Sequence, residues 1–154
     1  MENEKAKKIK ELTEKLLRLL LVKGTVEVYE EKESRSFIVQ IEAENSGYLI
    51  GYHGETIDAL QLVLSLAVYK QLGSWQKLVV NVGNYWQQRE EQLKKLALNV
   101  AQKVKFSKEP QPIADLSPRE RRTIHLFLMN HPDVYTESEG EGENRRLVVK
   151  PKKI

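Results

Sequence analysis

The first half of the chain alternates between helical and extended hydrophobic patterns. Apolar residues recur every three or four positions in some stretches and every second position in others, which are the spacings of a half-buried helix and a half-buried strand. The pattern predicts the order helix, strand, strand, helix, helix, strand, at residues 6–21, 25–29, 37–41, 47–54, 57–68 and 78–82. The segment 47–54 comprises a short helix and a tight glycine loop. The last segment is an apolar run too continuous for an edge strand, so we expect it inside a sheet.

The second half begins with a long amphipathic helix at residues 84–105. Two prolines within residues 107–112 interrupt the periodicity and mark the best domain boundary. Beyond that boundary the pattern predicts a compact unit of one helix and one hairpin, at residues 117–128, 134–138 and 147–150.

The composition is that of a globular protein and argues against a membrane-spanning or disulfide-bonded protein. The chain is 40% hydrophobic and 31% charged, and no window approaches the roughly 20 consecutive apolar residues of a membrane span. The N-terminal residues are polar and cysteine is absent, so we expect a cytoplasmic protein without disulfides. Residues 84–154 hold 14 Lys and Arg against 10 Asp and Glu, whereas residues 1–83 hold 11 against 12. This basic bias is compatible with phosphate binding and equally with solubility alone.

The sequence shows no set of residues that is typical of an active site. The chain contains no HExxH motif and no Walker loop, and its histidines are His53, His125 and His131. We therefore expect no enzyme, no cofactor and no bound metal. A nuclease that uses His125 with nearby acids is the least implausible catalytic alternative.

Two glycines stand where two predicted helices meet, in the segment Gly51-Tyr52-His53-Gly54. Glycine permits the sharp turn and the positive φ that such a junction needs, and it lets a ligand backbone come close. The first amides of the following helix lack intrahelical partners and could donate hydrogen bonds to a phosphate. A structural explanation stands beside this one, in which Gly51 ends one helix and Gly54 permits close packing.

A GxxG turn inside the order α-β-β-α-α-β resembles the type II KH domain over about residues 6–83. The resemblance implies an α+β fold, with helices packed on a three-stranded sheet. It also implies that single-stranded RNA binds at Gly51, Tyr52, His53 and Gly54, with its bases in an adjacent apolar groove. KH loops usually carry Lys or Arg between the glycines, so this turn should attract phosphate more weakly. We hypothesise that Tyr52 compensates by stacking on a base.

The predicted helix at residues 117–128 starts with a full set of capping residues. Ser117 can cap the helix, Pro118 suits its first position, and Glu120 completes a capping box. These four consecutive residues therefore predict where the helix begins.

Arginines crowd the start of that helix. Arg119, Arg121 and Arg122 lie in its first turn and a half, where the positive end of the helix dipole disfavours them. A phosphate would supply the missing negative charge, held by backbone amides, by Arg121 and by His125, which lies four residues further on the same face. Alternatively, the arginines are solvated or pair with Glu120 and Asp115, and His125 packs against the sheet.

Residues 115–125, with Asn130-His131-Pro132-Asp133-Val134 and Arg145-Arg146, resemble the R-three-H domain over about residues 110–150. The resemblance implies a small α/β domain. It also implies that nucleic-acid phosphates bind at Arg119, Arg121, Arg122, His125, Arg145 and Arg146.

A KH domain followed by an R-three-H domain is similar to the Jag (SpoIIIJ-associated, KhpB) family of bacterial RNA-binding proteins. This implies a KH domain at residues 1–83, a connecting helix and linker at 84–109 and an R-three-H domain at 110–154. Members are associated with post-transcriptional regulation, RNA chaperoning and control of cell shape, often with a small partner of one KH domain. Many members carry a further N-terminal domain. This chain is therefore either a fragment of such a protein or a short variant of the family.

A protein-interaction scaffold is the main alternative from another class. In that case the helix at residues 84–105 or the KH sheet mediates dimerisation, and nucleic-acid binding is incidental. Salt separates the two alternatives, because nucleic-acid binding falls steeply with salt through counterion release and apolar dimerisation does not. Single-stranded DNA stays open as the ligand beside RNA.

Overall fold

The chain folds into two compact units that divide between Trp86 and Gln87. The computed structural model describes residues 4–153. The first unit contains α1 (Glu4–Leu19), β1 (Gly24–Glu31), β2 (Ser36–Ala43), α2 (Gly47–Ile50), a 3-10 turn (Tyr52–Gly54), α3 (Glu55–Leu72) and β3 (Leu78–Val82). This order confirms the predicted α-β-β-α-α-β arrangement. The short helix and tight glycine loop predicted within residues 47–54 form a helical turn and a 3-10 turn.

The sheet of the first unit has the strand order β1-β2-β3. The strand β2 is antiparallel to β1 and parallel to β3, so that Val39 pairs with Val28 on one side and Val80 on the other. Alternate strand residues and the apolar faces of α1 and α3 form one core, which includes Ile9, Leu17, Val26, Val39, Ile41, Ile57, Leu64, Val68, Val80 and Val82. Each fully buried aliphatic side chain stabilises the fold by about 1.5–3 kcal/mol.

The position of β3 in this sheet differs from the prediction. We expected an interior strand, but β3 lies at the edge. Side chains cover the backbone of its outer edge: the Val80 N–H donates to Oε1 of Gln61 at 3.0 Å, and the indole Nε1 of Trp86 donates to the Val80 carbonyl at 3.2 Å. The prediction was wrong because an apolar run indicates burial, and side chains rather than a neighbouring strand bury this one.

The second unit packs two helices on a small antiparallel sheet. Its elements are α4 (Tyr85–Ser107), whose first two residues belong to the first unit, β4 (Gln111–Ile113), α5 (Pro118–Leu128), β5 (Val134–Glu139), a 3-10 turn (Gly142–Asn144) and β6 (Arg146–Pro151). The strand order is β4-β6-β5. The predicted helix and hairpin are confirmed, and no helix within residues 4–153 has the length and apolar character needed to cross a membrane.

The strand β4 was not predicted, because the sequence pattern placed a boundary at residues 107–112. Gln111 pairs with Val149 and Ile113 with Leu147 of β6. Three residues are too few to show an alternation, and Pro112 argues against a strand interior. At the edge of a sheet, however, a proline is tolerated because its missing N–H needs no partner.

The helix α4 belongs to the second core. Leu93, Ala97, Ala101 and Val104 recur at spacings of three and four and are buried in one cluster with residues of α5 and the sheet. We expect a connecting helix and a linker at residues 84–109, and the helix of that segment supplies one wall of this unit. We propose that α4 is counted with the second domain.

Candidate nucleic-acid interface

The turn at residues 51–54, here called the GxxG turn, has a backbone that only glycine adopts easily. Gly51 has φ 69° and Gly54 has φ 80°, and His53 between them is also left-handed at φ 51°. A Cβ atom at Gly51 would overlap the side chain of Thr56, and one at Gly54 would overlap the indole ring of Trp86. Both glycines are therefore required by the packing of the first unit itself.

The side chain of Trp86 packs against Gly54 of the GxxG turn. The sequence did not predict this contact. The Trp86 indole N–H bonds to the Val80 carbonyl of β3, and its six-membered ring lies where a side chain at Gly54 would stand. The sequence pattern assigned Trp86 to the apolar face of a connecting helix. A large aromatic residue four positions after the end of β3 was the available signal, but periodicity does not say which glycine it meets.

Aromatic rings rather than cations occupy the middle of the GxxG turn. The rings of Tyr52 and His53 stack with centroids 4.0 Å apart and an interplanar angle of 13°, and Tyr52 is 62% exposed. The chain has no Lys or Arg between Arg35 and Lys70. The first turn of α3 carries Glu55 and Asp58. The turn thus offers exposed aromatic surface, with little electrostatic attraction for phosphate, because the Gly51 and Gly54 amides already donate to the carbonyls of Gly47 and Gly51.

An apolar groove of about 430 Å³ lies beside this turn. Its lining joins the end of α1, the helical turn α2 and the outer side of α3, through Leu16, Leu20, Val22, Tyr48, Leu49, Thr56, Ala59, Leu60 and Val63. The groove has the apolar lining that suits nucleotide bases, as the KH resemblance implies.

The start of α5 has the predicted capping box. The Ser117 hydroxyl accepts from the Glu120 N–H at 3.2 Å, and the Glu120 carboxylate accepts from the Ser117 N–H at 3.1 Å. Pro118 occupies the first helical position. The first turn of α5 is thereby ordered by residues that belong to it.

Glu120 also forms a buried ion pair that sequence reasoning missed. Its side chain is 1% exposed, and its Oε1 accepts from Nε of Arg89 on α4 at 2.6 Å. The sequence alone offers the neighbouring arginines of α5 as partners for this carboxylate. Residues 31 positions apart meet here, and the local pattern of neither segment indicates the partner. The pair ties α4 to the start of α5.

The α5 face, defined by Arg119, Arg121, Arg122 and His125, combines anchored and exposed groups. Arg121 is half-buried, and its Nη1 donates to the Leu116 carbonyl at 2.7 Å. His125 is exposed, and its Nδ1 lies 2.6 Å from Oγ1 of Thr136 on β5. Arg119 and Arg122 are exposed. These contacts orient Arg121 and His125 one helical turn apart on one face, as the spacing predicted.

Arg145 and Arg146 lie at the start of β6 in a separate cleft of about 570 Å³. The cleft is also lined by Ala114, Asp115, Glu139, Gly140, Glu143 and Asn144. Asp115 directly precedes Leu116, whose carbonyl holds Arg121, so this cleft adjoins the start of α5. Carboxylates share this cleft with the two arginines, and phosphate binding at Arg145 and Arg146 stays a prediction.

Lys150 on β6 is a cation that the sheet neutralises. Its ammonium group pairs with Glu137 and with Glu139 of β5. Hydrogen bonds to Glu137 and then Glu139 raise the pKa of Lys150 above its usual value. Its charge is thus compensated within the hairpin. Among the residues that the structure describes, no group of three or more His, Asp or Glu side chains is placed to hold a metal ion.

Comparison with known families assigns each of the two units to a domain family. Residues 10–82 match the model of the KhpA/KhpB KH domain, and residues 91–151 match the model of the R-three-H domain. The R-three-H match begins inside α4, in agreement with the packing of that helix in the second unit. The chain therefore contains a KH domain followed by an R-three-H domain.

Curated relatives of this chain include proteins named RNA-binding protein KhpB. RNA-binding protein KhpB of Clostridium symbiosum is 36% identical over 125 residues, which cover 81% of this chain and 56% of the relative. The protein of the same name from Bacillus subtilis strain 168 is 33% identical over 133 residues, which cover 85% of this chain and 63% of the relative. The chain belongs to the KhpB (Jag) family, and it spans only part of the length of these curated relatives.

Proposed function

We propose that this chain binds single-stranded RNA without catalysis, through the α5 face and the GxxG turn. The observation that carries the proposal is the α5 face, where Arg121 and His125 are held by Leu116 and Thr136 at a capped helix start. The relatives whose printed name is RNA-binding protein KhpB support the choice of RNA.

The chemistry of the α5 face suits a phosphate group. The positive end of the α5 dipole favours an anion. Arg121 uses one donor on Leu116 and has further guanidinium donors, and His125 has Nε2 as its second ring nitrogen. Arg119 and Arg122 add exposed positive charge nearby. The face therefore supplies the electrostatic part of binding, and the GxxG turn supplies stacking contacts.

Replacing Arg121 and His125 together with Ala should weaken binding of labelled single-stranded RNA roughly 10-fold or more, because charge-assisted contacts are lost. The dependence of the association constant on salt should also become less steep, by about 0.7 for each phosphate contact removed. The measurement is a fluorescence-anisotropy titration of RNA, and of DNA of the same sequence, at two salt concentrations.

The matched control is Arg18→Ala, which removes one exposed cation from α1 of the first unit. Circular dichroism should show that each variant is folded, since Arg121 also holds the Leu116 carbonyl. Equal affinities for the native chain, the control and the double variant would remove the α5 face from the proposal. A native chain that binds neither RNA nor DNA at low salt would overturn the proposed function itself.

Tyr52→Ala should lower RNA affinity roughly 5-fold or more, because an exposed ring that stacks on a base contributes about 1–3 kcal/mol. Tyr52→Phe keeps the ring and should bind RNA nearly as the native chain does. The same anisotropy titration measures both variants. If Tyr52→Ala binds RNA with native affinity, the stacking hypothesis is wrong, although the contribution of the α5 face would stand.

A dimerisation module is the second candidate function, and one observation favours it. The outer side of α3 carries Leu62, Val63, Leu66 and Tyr69 at helical spacing, each about half exposed or more. No charged residue interrupts residues 59–69. A symmetric pair of such faces from two copies of the chain would bury both, because a two-fold interface joins the same patch twice.

Sedimentation of the native chain and of Leu66→Glu tests the dimer. A native dimer that dissociates on this substitution and is insensitive to salt supports an α3 interface. A native chain that sediments as a monomer at all concentrations speaks against it. A small protein with one KH domain is the partner that the family resemblance implies, and mixing experiments with such a protein extend the same test.

The proposed cellular role rests on the family resemblance. We place the protein in the cytoplasm, where a post-transcriptional regulator or an RNA chaperone meets its RNA. Control of cell shape is the wider role that the family resemblance implies. Each of these proposals depends first on the RNA titration described above.

A further inference from the structure

A cleft of about 830 Å³ lies along the second half of α4, away from the residues that the R-three-H motif contains. Its lining consists of Asn99, Gln102, Lys103, Phe106, Ser107 and Gln111, and it is here called the Phe106 cleft. The first five residues belong to α4, and Gln111 begins the edge strand β4. The volume lies within the range of about 300–1,000 Å³ typical of small-ligand sites.

Phe106 is exposed to a degree that stability does not explain. Its side chain is 75% exposed, whereas Phe37 is 4% and Phe127 is 37% exposed. Val104, two residues earlier on the same helix, is buried in the second core. The core is therefore complete without Phe106, and a large aromatic ring in water lowers no folding free energy through burial.

The other lining groups match the chemistry of a nucleotide. The side-chain amides of Asn99, Gln102 and Gln111 each offer a donor and an acceptor, which is the pattern presented by the edges of nucleic-acid bases. Phe106 offers a ring face for stacking. Lys103 offers a cation for the phosphate beside the base. An apolar protein helix would leave the three amides and the lysine without partners, so it fits this lining poorly.

Lysines around the cleft add positive charge but do not carry the argument alone. Lys108 is exposed just after the end of α4, and Lys105 is paired with Asp133 at 3.1 Å. Basic residues near the end of a helix are also favoured by its dipole. The exposed ring and the three amides beside it are what distinguish this cleft from an ordinary helix end.

We propose that the Phe106 cleft is a base-binding subsite for single-stranded RNA. It rests on the proposed RNA-binding function and adds a contact that neither the GxxG turn nor the α5 face supplies. The strand order β4-β6-β5 puts the cleft at the β4 edge, whereas His125 contacts Thr136 on β5 at the opposite edge. An RNA must therefore be long enough to cross the second unit before both sites are occupied together.

Replacement of the ring tests the proposal in the full chain. Phe106→Ala and Phe106→Leu should each lower affinity for a long single-stranded RNA roughly 5-fold or more, and Phe106→Tyr should keep it, because stacking needs a ring and not merely apolar area. Tyr135→Ala is the matched control, since Tyr135 is an exposed aromatic residue of the same unit, 40% exposed on β5. RNA carrying 4-thiouridine, irradiated and digested, should cross-link to residues 99–111.

The outcomes separate the subsite from the function on which it rests. Native RNA binding together with unchanged affinity of Phe106→Ala overturns the subsite and leaves the proposed function intact. Native affinity in Phe106→Leu overturns the stacking chemistry, because it shows that apolar contact suffices. Loss of affinity in Tyr135→Ala equal to that in Phe106→Ala overturns the specific role of the cleft. A native chain that binds no RNA overturns both proposals.

Discussion

Arg89→Met should lower the free energy of unfolding of the second unit by about 3–5 kcal/mol, because it removes the ion-pair partner of the buried Glu120 carboxylate. Glu120 is 1% exposed and Arg89 is 22% exposed, so the carboxylate is the group that water cannot reach once the pair is broken. Denaturant unfolding, combined with hydrogen exchange resolved by mass spectrometry, measures the loss in each unit separately.

The control is Lys94→Met on the same helix. Lys94 pairs with Glu90 in an exposed i,i+4 ion pair, and such pairs contribute only about 0.3–0.5 kcal/mol. Replacing both members of the buried pair, as Arg89→Met with Glu120→Met, should cost less than the two single substitutions added together, because the buried charge is then removed along with its partner. If Arg89→Met is as mild as Lys94→Met, the pair does not stabilise the second unit.

Gly54→Ala should destabilise the first unit by about 2–4 kcal/mol, because the new Cβ needs a left-handed backbone and also overlaps the Trp86 ring. Hydrogen exchange of the first unit and denaturant unfolding measure the effect. Gly73→Ala is a matched control within the same unit: Gly73 has φ 70°, but no atom lies within 4 Å of its added Cβ. It should therefore cost only the backbone part, about 1–2 kcal/mol.

A Trp86→Phe background isolates the overlap. In that background the smaller ring leaves room for the methyl group that the substitution adds, so Gly54→Ala should cost less than it does in the native chain. An equal cost in both backgrounds, or an equal cost for Gly54→Ala and Gly73→Ala, would show that the Trp86 contact does not constrain the turn.

The packing of the two glycines also decides how RNA binding by the first unit should be tested. Acidic substitutions at Gly51 and Gly54 would place side chains against Thr56 and Trp86. A loss of RNA binding in such variants would therefore reflect a damaged fold as much as a repelled phosphate. Tyr52 is exposed, so its replacement reports on the ligand with less effect on the fold.

The charge distribution predicts that the two domains contribute differently to the salt dependence of RNA binding. The GxxG turn lies in a stretch without Lys or Arg between positions 35 and 70, and the α5 face holds three arginines within one and a half turns. We therefore expect most of the salt dependence of binding to come from the R-three-H domain, because each cation on a phosphate releases a counterion. The KH domain should contribute contacts that salt affects little.

Several features of this protein were determined by the sequence alone because they depend on residues close together in the chain. The order of helices and strands in the KH domain follows from hydrophobic periodicity. The capping box at Ser117 and Glu120 and the spacing of Arg121 and His125 are properties of a single helix. The positive φ at Gly51 and Gly54 follows from a tight turn between two helices.

Other features were decided only by the tertiary structure. The Arg89–Glu120 pair, the contact of Trp86 with Gly54, the edge position of β3 and the short strand β4 each depend on a segment distant in sequence or on a partner that local pattern does not name. Periodicity shows which side of an element is buried, but it does not show against what. That choice is made when whole elements pack together, because only then do burial, hydrogen bonding and charge pairing act on the same residues.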